Sequence, residues 1–211
     1  MRHFSMIDHV LTQVNHALTP VLVVSPASRL NPSEGQPDVV LSEKEQRVSE
    51  GCMRVNHTGE VCAQALYRGQ LISSHSEKTR DMLQHSCDEE TDHLTWTQER
   101  LVELKGRTSY LNVLWYLNSF LIGVIAGVAG DRWSLGFVAE TEMQVDRHLQ
   151  SHLGQLPSHD LKSRAIVDQM REDELGHAAA AVTAGACALP LPIKKLMQLQ
   201  AKVMTTLAYW V

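Results

Sequence analysis

Two short stretches of the chain, Glu90-x-x-His93 and Glu174-x-x-His177, each set a carboxylate and an imidazole three residues apart. On a helix that spacing turns both side chains to one face, where they can reach the same ion. Two more glutamates, Glu60 and Glu142, stand 30 and 32 residues ahead of these pairs. The chain therefore repeats one order, a helix with Glu followed by a helix with Glu-x-x-His, which is the pseudo-twofold arrangement that a symmetric two-metal carboxylate site requires. Oxygen-rich donors with two imidazoles and no thiolate suit iron or manganese better than zinc or cuprous copper, and iron fits best. Two ferrous ions with open positions bind and reduce dioxygen. The reaction classes are then an oxygenase, an oxidase or an iron-oxidising store, and the ligand pattern alone does not choose among them.

Each glutamate falls where an apolar residue belongs. Glu90 sits in the stripe Leu83, Cys87, Leu94, Leu101, and Glu142 in Leu135, Val138, Val145, Leu149, Leu153, whereas Glu140 lies off that line. Glu174 and His177 occupy the centre of Val167, Met170, Ala181, Ala184. Glu60 shares a face with Met53, Asn56, Ala63 and Tyr67, the least clean of the four. Burying one ionised carboxylate alone costs on the order of several kcal/mol, so four in one small core demand cations. No lysine or arginine stands at the stripe positions. The expected metal ligands are therefore Glu60, Glu90, His93, Glu142, Glu174 and His177, holding two iron ions. His57, His75, His85, His152 and His159 read as ordinary surface or cap residues. His148, six residues after Glu142, could support a ligand from behind, although a structural place is the simpler reading. Asp88, Glu89 and Asp92 read as a solvated face around Glu90, with less weight on supporting a ligand histidine.

The elements that must position these residues are helices. Apolar residues recur at three- and four-residue intervals and aromatics make up only 5% of the chain, which leaves little material for strands. Ser42 and Glu45 have capping-box spacing and predict a long helix to about residue 74. Further helices are expected over 77–104, 110–129, 132–155, 159–188 and 193–210, bounded by Ser76, Gly106, Gly130, Pro157, Pro190 and Pro192. Residues 1–41 read as an N-terminal arm, with a short helical pattern at Ile7, Val10, Leu11 and Val14 followed by Pro20, Pro26, Pro32, Gly35 and Pro37. Residues 42–211 form the metal-binding domain. Tyr110 to Gly130 carries no charge over 21 positions, long enough to span a bilayer, but Asn112, Asn118 and Ser119 dilute it. A helix lying in the membrane interface is the favoured reading, ahead of a buried core helix and of a true span. Gly123 and Gly127 permit close helix packing.

Nineteen basic residues against 24 acidic ones, with no basic stripe, exclude the electrostatic footprint of a nucleic-acid binder. The four cysteines, Cys52, Cys62, Cys87 and Cys187, form no CxxC pair and suit a reducing compartment. Asp8, His9, Gln13 and Asn15 interrupt the early hydrophobics, so no secretory signal is expected.

The stretches Arg54-Val55-Asn56-His57-Thr58-Gly59-Glu60, Glu89-Glu90-Thr91-Asp92-His93, Glu140-Thr141-Glu142 and Glu172-Asp173-Glu174-Leu175-Gly176-His177 resemble those of the demethoxyubiquinone hydroxylase family of ubiquinone biosynthesis. The likeness runs from about residue 40 to 211. It implies the same six ligands, with Glu90 and Glu174 bridging both ions. The fold to expect is an all-α ferritin-like four-helix bundle with an additional apolar interfacial helix and a short C-terminal helix. The likeness also implies a substrate, a prenylated demethoxy-benzoquinol hydroxylated with dioxygen, and a peripheral place on the cytoplasmic side of the cell membrane, where ubiquinone-pathway proteins are candidate partners. No Gly-x-Gly-x-x-Gly follows a predicted strand, so electrons are expected from an external donor. One departure is Leu149, where many members of that family carry tyrosine, so no relay through that side chain is assumed. The competing readings are a ferritin-like iron store and a metal-free scaffold for quinone-pathway enzymes.

Overall fold

A computed structural model describes residues 26–211, and every described element is a helix. These are α1 (Glu43–Ser73), α2 (Glu77–Glu103), α3 (Asn112–Val128), α4 (Asp131–Gln155), α5 (Leu161–Ala184) and α6 (Leu191–Trp210). The helical pattern at Ile7–Val14 lies outside the described residues. Residues 26–42 contain turns but no helix.

Local chemistry sets the helix ends. At α1 the Ser42 amide donates to Glu45 Oε2 (2.9 Å) and the Glu45 amide to Ser42 Oγ (3.4 Å), the expected capping box. Ser76 Oγ accepts from the Thr79 amide (3.0 Å) to start α2. Helix α5 stops at Ala184, short of the expected 188, because Gly185 turns left-handed at φ 110° and closes the C-terminus. Helix α6 begins at Leu191, two residues earlier than expected, since Pro192 is at home in a first turn whose N–H groups have no partner anyway.

Helices α1, α2, α4 and α5 form the bundle as two hairpins, α1 with α2 and α4 with α5. Its apolar core comes in two clusters. One contains Met53, Trp96, Leu149 and Met170, and the other Tyr67, Cys87, Val138 and Ala181. Along every bundle helix the candidate ligand lies between a residue of one cluster and a residue of the other. The metal-ligand candidates therefore occupy a layer between two apolar plugs, out of reach of bulk water.

Helix α3 packs flush on α1. A Cβ at Gly123 would stand 2.1 Å from the Leu66 carbonyl oxygen, and one at Gly127 2.1 Å from Ser73 Oγ, so only glycine permits this approach. The inward face carries Asn112, Tyr116 and Ser119, while Leu114, Leu117, Leu121, Ile125 and Val128 are exposed. Two of the three polar residues that dilute the segment in sequence thus point into the protein, and the outer face is almost wholly apolar. No helix among the described residues is long and apolar enough to cross a membrane.

Helix α6 lies across α1 and touches α4. Buried Arg54 anchors its end by donating to the carbonyls of Tyr209 (2.6 Å) and Arg107 (2.9 Å), and it also pairs with Glu50. At its start Lys194 Nζ meets Glu140 Oε2 at 2.7 Å. Glu140, off the ligand stripe of α4, serves to pin α6.

Candidate metal centre

The bundle brings all six expected ligands together. Glu60, Glu90, His93 and Glu174 present ligand atoms within 4.8 Å of one another, as do Glu90, Glu142, Glu174 and His177, and both groups are buried. Glu90 and Glu174 belong to both groups, the position of bridging carboxylates. His93 Nδ1 lies 3.2 Å from Glu90 Oε2, 3.5 Å from Glu174 Oε1 and 3.7 Å from Glu60 Oε2. His177 Nδ1 lies 3.3 Å from Glu174 Oε2 and 3.5 Å from Glu90 Oε1.

The outer nitrogens of the two rings are held crosswise. His93 of α2 meets Asp173 of α5 (Nε2 to Oδ2, 2.8 Å), and His177 of α5 meets Glu89 of α2 (Nε2 to Oε2, 2.8 Å). With Nε2–H donating outward, each ring keeps its Nδ1 lone pair for an ion. This corrects the expectation for Asp88, Glu89 and Asp92, of which only Asp88 is an exposed side chain. Glu89 orients a candidate ligand, and Asp92 is buried, accepting from the Ser28 amide (2.6 Å), Ser28 Oγ (2.9 Å) and Arg29 Nε (2.8 Å). Asp173 is a functional residue that the sequence reading overlooked. The signal was present: an acid immediately precedes each Glu-x-x-His, as Glu89-Glu90 and Asp173-Glu174.

Four buried carboxylates leave the core short of positive charge. Both oxygens of Glu142 and Oε1 of Glu90 are buried without a hydrogen bond. Burial and then the Glu90 charge push the Glu60 carboxyl well above its usual range, and burial with Glu174 does the same to Glu142. Burial opposes charge on His177, but its contacts with Glu174 and Glu90 outweigh that and push it up. The protein alone would have to draw protons into this layer, whereas a pair of divalent cations satisfies the orphaned oxygens and the charge together. The donor set fits such a pair.

Beside the ligand layer, α1, α3, α4 and α6 enclose a cleft of about 160 Å³ with mainly apolar walls, including Leu66, Trp115, Phe137 and Met204. Glu60 is the only one of the six candidate ligands that lines it. His148 also faces this cleft, not the back of a ligand, and its Nε2 is buried without a partner. Its ring packs edge-on against His152 (4.0 Å between centroids), whose Nδ1 meets Asn56 Oδ1 at 2.7 Å. His57 is buried as well, reaching Asn112 at 3.4 Å. The surface or cap reading fails for His57 and His152, although neither belongs to the ligand groups; His75, His85 and His159 are exposed as expected. Burial pushes His57 down to about 4 and His152 to about 3, so both are neutral near pH 7, and His148 moves the same way.

Outside the cleft, α6 exposes Leu196, Leu199, Val203, Leu207 and Trp210, one stripe at helical spacing, while other residues of α6 and of α3 line the cleft between them.

The chain matches the family described as ubiquinone biosynthesis protein COQ7 over residues 47–208. A protein of Coxiella burnetii (strain RSA 493 / Nine Mile phase I) named 3-demethoxyubiquinol 3-hydroxylase is 53% identical over 210 residues, covering 100% of this chain and 98% of its own length. Proteins of the same name from Polynucleobacter asymbioticus (52% identical over 206 residues) and Azoarcus sp. (50% over 204 residues) each cover 97% of this chain and 99% of themselves.

Proposed function

The chain belongs to the COQ7 family of ubiquinone biosynthesis proteins, and from that membership we propose that it is a di-iron monooxygenase, a 3-demethoxyubiquinol 3-hydroxylase that adds a hydroxyl group to the ring of a prenylated demethoxy-benzoquinol. The observation that carries this reading is the cleft: an apolar space that reaches the buried Glu and His layer at Glu60 and opens between two helices with apolar outer faces.

In this reading Glu90 and Glu174, which belong to both ligand groups, would hold the iron pair together with Glu60 and His93 on one side and Glu142 and His177 on the other. The iron pair, when bound, supplies the two-electron chemistry that activates dioxygen. One oxygen atom enters the ring and the other leaves as water, a balance that takes two electrons and two protons from an external donor. The chain's own contribution is positioning and exclusion of water. Leu66, Trp115, Phe137 and Met204 grip the ring, and His148 offers its unpaired Nε2 to a ring oxygen. Neutral imidazoles at His148 and His152 keep charge away from an uncharged substrate. The isoprenoid tail leaves between α3 and α6, whose exposed faces lie in the lipid interface on the cytoplasmic side of the cell membrane.

The test is iron content together with quinone profiling in cells carrying wild type or Glu90→Ala with Glu174→Ala. Wild type is expected to hold about two irons per chain, and the variant to lose them and accumulate the demethoxy-quinone. Iron loss with an unchanged quinone pool would leave an iron store, and a metal-free wild type would leave a scaffold.

A further inference from the structure

Arg29 lies at a bend in the non-helical segment ahead of α1, outside the 47–208 stretch matched to the family. Its guanidinium nonetheless sits on the outer side of the ligand layer, among three acids. Nε donates to Asp92 Oδ2 (2.8 Å), Nη2 donates to Asp173 Oδ2 (2.8 Å), and Nη1 stands 3.7 Å from Glu89 Oε1. Asp173 and Glu89 are the two carboxylates that receive Nε2–H of His93 and His177. Arg29 and His93 point at the same Asp173 oxygen, which explains why their nitrogens approach to 3.4 Å. The guanidinium also lies 4.8 Å from the centroid of the Trp96 ring, and Trp96 in turn packs 5.4 Å from His93.

We propose that Arg29 is a positioning residue of the metal centre, a fork from the N-terminal arm that holds the two carboxylates orienting His93 and His177. This rests on the di-iron reading above. A planar guanidinium can serve this role because it meets several oxygens in fixed directions at once, which an ammonium cannot. Ser28 reinforces the seat, since its amide and hydroxyl both bind Asp92. Without the fork, Asp173 and Glu89 turn to solvent and the two imidazoles lose the partners that fix their tautomer and direction.

The sign of the effect separates this role from a bystander's. A fixed positive charge near two cations repels them, so if Arg29 acted only through its charge, removing it would tighten metal binding. As a positioning residue, its removal weakens binding. The experiment uses the full chain stripped of metal and titrated with cobaltous ion against a competing chelator, for wild type, Arg29→Gln, Arg29→Lys and the surface control Arg47→Gln. Visible absorption reports the coordination of the bound ion.

Arg29→Gln is expected to bind about 10- to 100-fold more weakly, the usual consequence of losing a partner behind a ligand, with an altered absorption band. Arg29→Lys should recover part of the affinity, and Arg47→Gln should match wild type. Unchanged or tighter binding in Arg29→Gln, with a wild-type band, overturns the proposal. If Arg29→Gln does not fold, Asp92→Asn decides in its place, because it keeps the side-chain shape and frees one prong of the fork: a several-fold loss supports the role and no loss overturns it. A wild type that binds no cobalt overturns the di-iron reading itself, a result distinct from the others.

Discussion

The two halves of the ligand layer share one sequence order and differ in their surroundings. On the Glu60 side, His93 is fully buried against Trp96, and its partner Asp173 is held by Arg29 at 2.8 Å and by Gln169 at 3.0 Å. On the Glu142 side, His177 leans on Glu89, whose side chain is 25% exposed and meets its other partners, His85 and Arg29, only at 3.5 and 3.7 Å. Glu60 lies 3.7 Å from His93 Nδ1 and lines the cleft, while Glu142 has no hydrogen bond and no cleft. The repeat supplies equivalent ligands, and residues outside the repeat make them unequal. The more tightly held half is also the half that reaches the cleft.

That inequality can be broken from either side. Asp173→Ala should weaken metal binding by about 10- to 100-fold, and Glu89→Ala by clearly less, because its anchor is already loose and wet. Isothermal titration with manganous ion checks the order, and equal losses would make the halves equivalent. An effect of similar size is expected in the metal-free protein, where Glu142→Leu should raise stability by about 1–3 kcal/mol and Glu60→Leu by less, since Glu142 has both oxygens unpaired. The Glu142 carboxyl is raised above 4.5 in the fold. It resists an ionisation that the unfolded chain permits, so the gain should grow as pH climbs from 4.5. Urea midpoints at two pH values measure this, and a pH-independent difference would mean that Glu142 is not held protonated.

The histidines sharpen the comparison further. At the carboxylates they are pushed toward the imidazolium, but at His148 in the cleft wall and His152 packed against it they are kept neutral. For His152, with a folded value near 3 against an ordinary 6.5, stability is present above 6.5 and is lost as pH falls through that window. The stability difference between wild type and His152→Gln should therefore move in the variant's favour by about 1.4 kcal/mol per pH unit below 6.5. A flat difference would show that His152 titrates normally.

Much of this architecture was legible in the sequence. The four glutamates interrupt apolar stripes, and a periodicity argument finds such residues because each helix face is a local property. What it missed depends on docking. Asp173 and Glu89 look like solvated neighbours until α2 and α5 meet, and the bond from Arg29 to Asp173 joins residues 144 apart. His57 and His152 resemble surface histidines because nothing near them in the chain announces burial; Asn112 and Asn56, their partners, come from other helices. In α3, Asn112 and Ser119, two of the three polar residues that weakened its apolar character, face inward, a point that composition cannot resolve. The wall that α6 supplies to the cleft was likewise invisible, since its own pattern says only that it is amphipathic.

The division of the ligands between hairpins bears on the order of folding. α1 with α2 brings Glu60, Glu90 and His93, and α4 with α5 brings Glu142, Glu174 and His177. Each hairpin joins neighbouring helices and can assemble through contacts close in the chain. Neither holds a complete four-residue ligand group, and the repulsion among four carboxylates arises only when the hairpins close on each other. Divalent cation concentration is therefore expected to bear on the final closure, not on helix formation, and a newly made chain short of metal must take up protons at Glu60 and Glu142 as its two halves close.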